Sequence, residues 1–492
     1  MALRLLLLTL FYVSFVQLPL LTSQLKWVGD DYGLAALILV LATLSSALWV
    51  YATSHRRWAF LLMQLPVIVV ATIAGYMWLV QDFILSSDII ATFLETTPAE
   101  AGEFMSPSLM IAGAIGLFLA LCIGIWVVPK NNTQCHRWPI LALFLVLIIS
   151  AIPVLRVNAL FLPYTLIHQV LLQSRDHLLP SHQADNYASV HRRTTEPVTL
   201  VVVIGESLRA DHLGINGYGR ETTPLLAKRE GLVSFRQVRS CAAITRYALP
   251  CILNAGNNPS FVSVLRQVGF HTTWLGTQGD PSFTHNYLRA GRDAEQSKFT
   301  NTPFASSHAY DRELLPWFQA TLARGHDSKL IVLHTLGSHW KYHQRYPRED
   351  VKFAPNCNES LPYLCERQHV INSYDNSVRY TDGFLDALIT ELENVPALLI
   401  YISDHGESLG ENGAWLHGDP NNEDQRQAAM MVWASKNWQK RYPARFQQLV
   451  NKRDQSLAQE VVFHTVLDCA DVAADFVDPA SSLCYKPGQQ SF

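Results

Sequence analysis

The stretch Val201-Val202-Val203-Ile204-Gly205-Glu206-Ser207 decides the fold of the carboxyl-terminal part of this chain. Four consecutive β-branched residues need burial on both faces, which predicts a central strand of a parallel sheet. The run stops at a glycine and an acid, at the carboxyl edge where α/β sheets place ligands. A second run, Leu398-Leu399-Ile400-Tyr401-Ile402-Ser403, ends the same way in Asp404-His405-Gly406-Glu407. Two buried strands thus deliver Glu206, Asp404 and His405 to one edge. Taken singly, each would read as a helix cap or a solvated side chain; the convergence is what points to a metal. Hard oxygen ligands beside an imidazole suit zinc or manganese, and a catalytic zinc keeps one position open. Thr245, bracketed by Cys241 and Cys251, is the candidate for that position. A metal-bound hydroxyl becomes a competent nucleophile near neutral pH. The following segment, Arg246 to Leu253, is expected to open a short helix whose amino terminus favours a phosphate.

Outward from these runs, strand candidates Val198–Ile204, His271–Leu275, Leu330–Leu336, Leu398–Ser403 and Ala429–Ala434 alternate with helix candidates. The helices are expected over Thr223–Glu230, Asn258–Val268, Arg312–Arg324, His369–Glu393 and Glu460–Ala473. This alternation predicts a mostly parallel sheet with helices on both faces. His339, in Gly337-Ser338-His339, and His417, in Trp415-Leu416-His417-Gly418, each follow a predicted strand. Either could orient phosphate oxygens or protonate a leaving alkoxide. His334, inside a strand, reads as a core histidine. No dinucleotide fingerprint or P-loop lysine motif is present.

A net charge of −3 implies no nucleic-acid partner. Of the 8 cysteines, Cys241 and Cys251, Cys357 and Cys365, and Cys469 and Cys484 form close pairs after the apolar region. Such pairing predicts local disulfides in an oxidising compartment. Without a CxxC, thiol redox chemistry and a cysteine-rich zinc knuckle are both disfavoured.

The amino-terminal third is apolar. Segments near Leu3–Leu21, Leu34–Tyr51, Trp58–Val80, Leu109–Val128 and Trp138–Val157 each approach the ~20 residues needed to cross a bilayer. The first lacks an A-x-A cleavage pattern and is read as a span, not as a signal peptide. His55, Arg56 and Arg57 mark the second connection as cytoplasmic, and Lys130 and Arg137 mark the fourth. The third connection has acids but no Lys or Arg. Positive loops stay inside, so the amino terminus is expected in the cytoplasm and everything after the fifth span outside. The expected organisation is a five-helix transmembrane domain over 1–158, an interfacial helix and linker over 159–196, and a soluble α/β domain over 197–492. Within the third connection, 81–107, Ile89 to Leu94 and Thr97 to Glu100 predict amphipathic helices along a membrane surface.

These residues resemble the bacterial phosphoethanolamine transferases, the family of the lipid A modifying and mobile colistin-resistance enzymes. The resemblance is carried by Gly205-Glu206-Ser207-Leu208-Arg209-Ala210-Asp211-His212 with Asn216-Gly217-Tyr218-Gly219-Arg220-Glu221-Thr222. It extends to the Cys241–Cys251 segment around Thr245, to Ser403-Asp404-His405-Gly406-Glu407-Ser408, and to Leu416-His417-Gly418. Cys357 and Cys365, followed by Asn372-x-Tyr374-Asp375-Asn376, resemble its acceptor-side disulfide and helix, and Glu95 to Ala101 its periplasmic membrane helix. The resemblance implies an alkaline-phosphatase and sulfatase type fold, zinc on Glu206, Thr245, Asp404 and His405, and assisting roles for His339 and His417. It further implies that phosphatidylethanolamine gives its head group to Thr245, leaving diacylglycerol. A lipid A, lipopolysaccharide-core or other envelope glycan acceptor then takes that group. Departures from the family's lipid A members fall near the acceptor pocket. One disulfide joining the nucleophile and acceptor loops is missing, Arg246 stands where a small residue is usual, and the loop after Trp274 reads Gly276-Thr277-Gln278-Gly279-Asp280-Pro281. Competing readings are a phosphoglycerol transferase of the same superfamily and a metal-binding envelope scaffold without catalysis. A sulfatase activity is disfavoured, because Cys241 to Thr245 lacks the Cys-x-Pro-x-Arg arrangement its formylglycine needs.

Overall fold

A computed structural model describes residues 2–28, 31–81, 90–92, 102, 105–128, 137–151, 161–178, 189–256, 258–278, 293–300, 309–325 and 327–485. Apart from Ile90–Thr92, the helices expected within 81–107 lie outside the described residues. So do 180–188 of the expected linker and Gly279–Pro281 of the loop after Trp274. The chain divides into two compact units, Met1–Thr96 with Met105–Leu179, and Thr97–Phe104 with Pro180–Phe492.

In the first unit every predicted apolar segment is helical over its described residues, apart from a break at Gln17 and the last residue, Val128, of the fourth. Among the described residues three helices are long and apolar enough to cross a membrane: Tyr32–Thr53, Arg57–Val80 and Pro107–Ile125. Their starts follow from local chemistry. Asp31 accepts from the Leu34 amide at 3.0 Å, and Ser106 accepts from Leu109 at 3.2 Å with Pro107 in the first turn. The first and fifth segments are shorter apolar helices, Leu3–Val16 and Trp138–Ile149. The first helix changes to a π-helical turn over Tyr12–Val16, and Gln17 then interrupts it before Leu18–Val28. Among the described residues, three of the five expected spans are thus long enough to cross, and the other two are shorter apolar helices. A helix, Tyr164–Leu178, stands within the segment expected to be interfacial and belongs to this unit.

The second unit is built on an eight-stranded sheet. Its strands are β1 (Thr199–Gly205), β2 (Leu232–Arg239), β3 (His271–Gly276), β4 (Gln296–Phe299), β5 (Lys329–His334), β6 (Ala397–Ser403), β7 (Gln427–Ala434) and β8 (Ser456–Ala458). They lie in the order β8-β2-β7-β6-β1-β5-β3-β4. All pairings are parallel except those of β7, which runs antiparallel to both β2 and β6. Strand β1 is buried along its whole length. Leu200, Val202 and Ile204 enter the core on one face, and Val201 and Val203 enter the core on the other. That two-sided burial is why its sequence is a continuous apolar run instead of an alternation.

Some expectations are corrected. Thr223–Glu230 forms only a short turn, Leu226–Lys228. The Asp382 carboxylate takes the Leu225 and Leu226 amides at 3.0 and 2.9 Å, and Thr223 turns its hydroxyl to the Ile215 amide. These contacts satisfy the backbone without a helix. Strands β2, β4 and β8 were not expected. Their charged and polar residues dilute the apolar signal, since part of each faces water. The helices Phe261–Gln267, Leu315–Leu322, Arg367–Leu392 and Val461–Cys469 match the remaining expectations, most of them shortened at the ends.

Candidate metal centre and nucleophile

Strands β1 and β6 are parallel neighbours with Gly205 opposite Ser403. The next residues in each chain direction, Glu206 and Asp404, therefore emerge side by side at the carboxyl edge. Gly205 must be glycine, because a Cβ there would lie 2.1 Å from the Tyr401 hydroxyl. Strand β2 runs through Ser240–Ile244 into the helix Thr245–Asn254, which brings Thr245 to the same edge as the first residue of that helix. The Cys241–Cys251 disulfide ties the approach segment to the helix, and Cys357–Cys365 and Cys469–Cys484 are also bridged.

The four predicted residues meet. Thr245 Oγ1 donates to Glu206 Oε2 at 3.2 Å and lies 3.3 Å from His405 Nε2. The same His405 Nε2 stands 3.2 Å from Glu206 Oε1 and 3.2 Å from Asp404 Oδ2. Four donors placed tetrahedrally around an ion at about 2.0 Å stand about 3.3 Å apart. The contacts seen here have that spacing. His405 Nδ1 faces the Gly406 carbonyl at 2.8 Å, so with its proton there the Nε2 lone pair is free for an ion. Asp404 Oδ1 accepts from the Ser207 and His405 amides, whereas buried Asp404 Oδ2 has no hydrogen-bond partner. A buried carboxylate oxygen left open, aimed at an imidazole nitrogen and a second carboxylate, fits a cation held by oxygen and nitrogen donors.

Electrostatics agree with that fit. Burial opposes charge throughout the cluster, yet the His405 ring draws Glu206 well below the usual carboxylate range. Burial and the charge of Glu206 push Asp404 up to about 7. His405, despite burial, is carried up to about 10 by Asp404 and Glu206. Two carboxylates and one imidazole are short of positive charge when taken out of water.

His417 joins this group. Its ring centroid lies 4.2 Å from that of His405, and its Nδ1 faces buried Glu407 Oε2 at 2.9 Å. Glu206, His405 and His417 each offer a ligand atom within 4.8 Å of the others. His339 is further out, with its ring 6.3 Å from that of His417. The structure thus gathers every predicted site residue, with His339 at the rim. His334 is buried in the core as expected.

Sequence reasoning missed the residues that hold these in place. Gln278 Nε2 donates to Glu206 Oε2 at 2.9 Å. Gln459 accepts from the Cys241 amide and donates to the Ser403 and Asp404 carbonyls, joining the nucleophile segment to the end of β6. Asp311 accepts from Thr277 and from the Leu336 and Gly337 amides. It thereby fixes a turn whose Gly337, at φ +48°, packs against the Glu206 backbone. All three are polar residues outside any motif, legible only once their partners are known.

Phosphoethanolamine transferase EptA of Escherichia coli (strain K12) is 28% identical over 501 residues, covering 91% of this chain and 88% of the relative. Phosphatidylethanolamine transferase Mcr-1 of Escherichia coli is 24% identical over 505 residues, covering 92% of each. Among solved structures, the integral membrane lipooligosaccharide phosphoethanolamine transferase A from Neisseria meningitidis matches with TM-score 0.74 at 23% identity. That match covers 98% of this chain and 96% of that one, and it establishes the fold across both units. The zinc complex of the carboxyl-terminal periplasmic domain of EptC from Escherichia coli matches with TM-score 0.55 at 28% identity. It covers 61% of this chain and 90% of that one. The resemblance to phosphoethanolamine transferases drawn from the motifs therefore holds. The sulfatase family profile matches residues 198–472, more than half of the sequence and the whole sheet, and the chain belongs to the sulfatase family.

Proposed function

We propose that the protein is a zinc-dependent, membrane-anchored phosphoethanolamine transferase that moves the head group of phosphatidylethanolamine through Thr245 to lipid A or another envelope glycan. The observation that carries this reading is the placement of the Thr245 hydroxyl within 3.3 Å of both Glu206 and His405. The relatives named as transferases of this group add support along the length of the chain. Five spans, with the amino terminus inside, would set the catalytic unit in the periplasm of the inner membrane. Its three disulfides are those of an oxidising compartment.

In this reading Glu206, Asp404, His405 and Thr245 hold zinc. When bound, zinc supplies a lowered pKa at the Thr245 hydroxyl and neutralises charge on the phosphoryl oxygens. Thr245 Oγ1, its proton given up to water when the site is loaded, forms a bond to phosphorus as the bond to the diacylglycerol oxygen breaks. The departing alkoxide takes a proton from His417 or His339, at the open side of the site. Glu407 keeps the His417 Nδ1 proton in place, so that Nε2 is the nitrogen that faces the reaction. In the second step an acceptor oxygen attacks the same phosphorus, gives up its proton to the histidine, and frees the Thr245 oxygen. The covalent stage lets diacylglycerol leave before the acceptor enters. The amino terminus of the Thr245–Asn254 helix, beginning at the nucleophile itself, favours the anionic phosphoryl group throughout.

Intact-protein mass spectrometry after incubation with phosphatidylethanolamine tests this. One added phosphoethanolamine is expected on a peptide containing Thr245, and none in Thr245→Ala. Labelling from phosphatidylglycerol instead would make the protein a phosphoglycerol transferase. Full transfer by the alanine variant would replace the two-step scheme with direct displacement.

A further inference from the structure

Ser207 has an unusual backbone for a residue that is not glycine, with φ +57°. The left-handed region costs an ordinary side chain about 1 kcal/mol or more, and such strain persists only where neighbours enforce it. Here the conformation lets one residue serve both carboxylates. The Ser207 amide donates to Asp404 Oδ1 at 3.1 Å, and the Ser207 hydroxyl donates to Glu206 Oε1 at 3.1 Å. Glycine would relieve the strain but would lose the hydroxyl.

The enforcing neighbour comes from another element. Tyr374, on the long helix Arg367–Leu392, donates its hydroxyl to the Ser207 carbonyl at 2.6 Å and accepts from the Arg209 amide at 2.9 Å. One buried hydroxyl thus closes the turn from both sides. Its ring packs edge-on against Tyr342, at 5.2 Å, and against His212, at 5.1 Å. The next residue, buried Asp375, binds His212, Tyr218 and Arg220 farther along the same segment. The long helix therefore grips the chain after β1 at successive points, with Tyr374 nearest the ligands.

We infer that Tyr374 is a positioning residue for the metal centre, acting through Ser207 to aim the Glu206 and Asp404 carboxylates. The inference rests on the reading that those two residues hold zinc. Tyr374→Phe deletes only the hydroxyl, leaving the Ser207 carbonyl and the Arg209 amide unsatisfied and Ser207 free to relax. Groups that orient ligands from behind typically set metal affinity by about 10-fold to 100-fold.

Zinc affinity of the metal-stripped full-length protein in detergent, measured by competition with a chelating dye well below the melting temperature, provides the test. Tyr374→Phe is expected to weaken zinc by about 10-fold or more, with transfer recovered at excess zinc. Ser207→Ala, which removes the hydroxyl without touching Tyr374, should shift affinity in the same direction. Tyr380→Phe, a buried tyrosine farther along the same helix, should leave affinity unchanged. That control separates positioning from a general loosening of the helix. Wild-type affinity in Tyr374→Phe, whatever Ser207→Ala does, would overturn the inference alone. Wild-type affinity in Glu206→Gln would overturn the metal reading, and this inference with it.

Discussion

The two units of this protein put polarity in opposite places. Large exposed apolar side chains crowd the amino-terminal unit, among them Leu62, Leu79, Phe118 and Phe144, while the catalytic unit exposes only Leu225, Tyr247 and Leu364 among its described residues. Buried polarity also differs in kind. The first unit buries neutral groups such as Gln17, Ser45, Ser46 and Gln64, whereas the second buries Glu206, Arg209, Asp311, Asp375, Asp404, His405 and Glu407. Lipid offers no water to an outward polar group, so a spanning helix turns hydrocarbon outward and keeps inward only what hydrogen bonds can satisfy. A folded α/β core can instead hold several charges if they are paired or shared with an ion. Charge burial is thus what sets the second unit apart from the first.

The largest test of that contrast is to remove one buried charge. Asp404→Asn keeps the size of the side chain but withdraws the oxygen that has no hydrogen-bond partner. Transfer should fall by ~10³-fold, and zinc retention after dialysis should fall with it. Measured zinc content equal to wild type would mean that Asp404 is buried for structure alone.

A second test uses acid. His334 is fully buried, and burial lowers its pKa from 6.5 to about 4. Above pH 6.5 the ring is neutral in both folded and unfolded chains, so it contributes no pH dependence. As pH falls from 6.5 to about 4, the unfolded chain binds a proton that the folded one refuses. Stability should therefore drop by about 3 kcal/mol across that window, and His334→Leu should flatten the drop. An unchanged acid limb in denaturant titrations of the variant would show that His334 is not the responsible group.

The smallest effect is expected in the membrane unit. Gln17 pairs its side chain with both the carbonyl and the amide of Leu162, a contact between neutral groups. Gln17→Leu should cost about 1 kcal/mol, since such bonds in membrane proteins are individually weak. Unfolding in mixed detergent micelles would measure it. A loss as severe as that of the Asp404 variant, in transfer as well as stability, would erase the distinction between the two kinds of burial.

Legibility followed the same division. The helices of the first unit could be read directly, because each must be apolar over its own length whatever it packs against. The fifth was read as a full span, and its described part is shorter. In the second unit β1 and β6 were legible because central strands are apolar on both faces, and the cysteine pairs because they close locally. Strands β2, β4 and β8 were hidden by polar residues that part-exposed strands tolerate. Gln459 and Asp311 left no trace, and Gln278 and Tyr374, though quoted within longer stretches, gave no sign of the bonds they make. Each acts through a partner far away in the chain, and an isolated glutamine or tyrosine carries no period.

The sequence by itself determined which segments suit lipid, which runs form the centre of the sheet, and that Glu206, Asp404 and His405 stand at strand ends beside a stapled Thr245. Local composition is enough for these, since burial constrains every residue in a run. Only the tertiary structure decided that Gly205 lies opposite Ser403, and hence that Glu206 and Asp404, far apart in sequence, emerge side by side. It alone revealed the left-handed turn at Ser207 and the hydroxyl of Tyr374 that closes it. Register and long-range hydrogen bonds are fixed by pairing between distant segments, and neither segment records its partner.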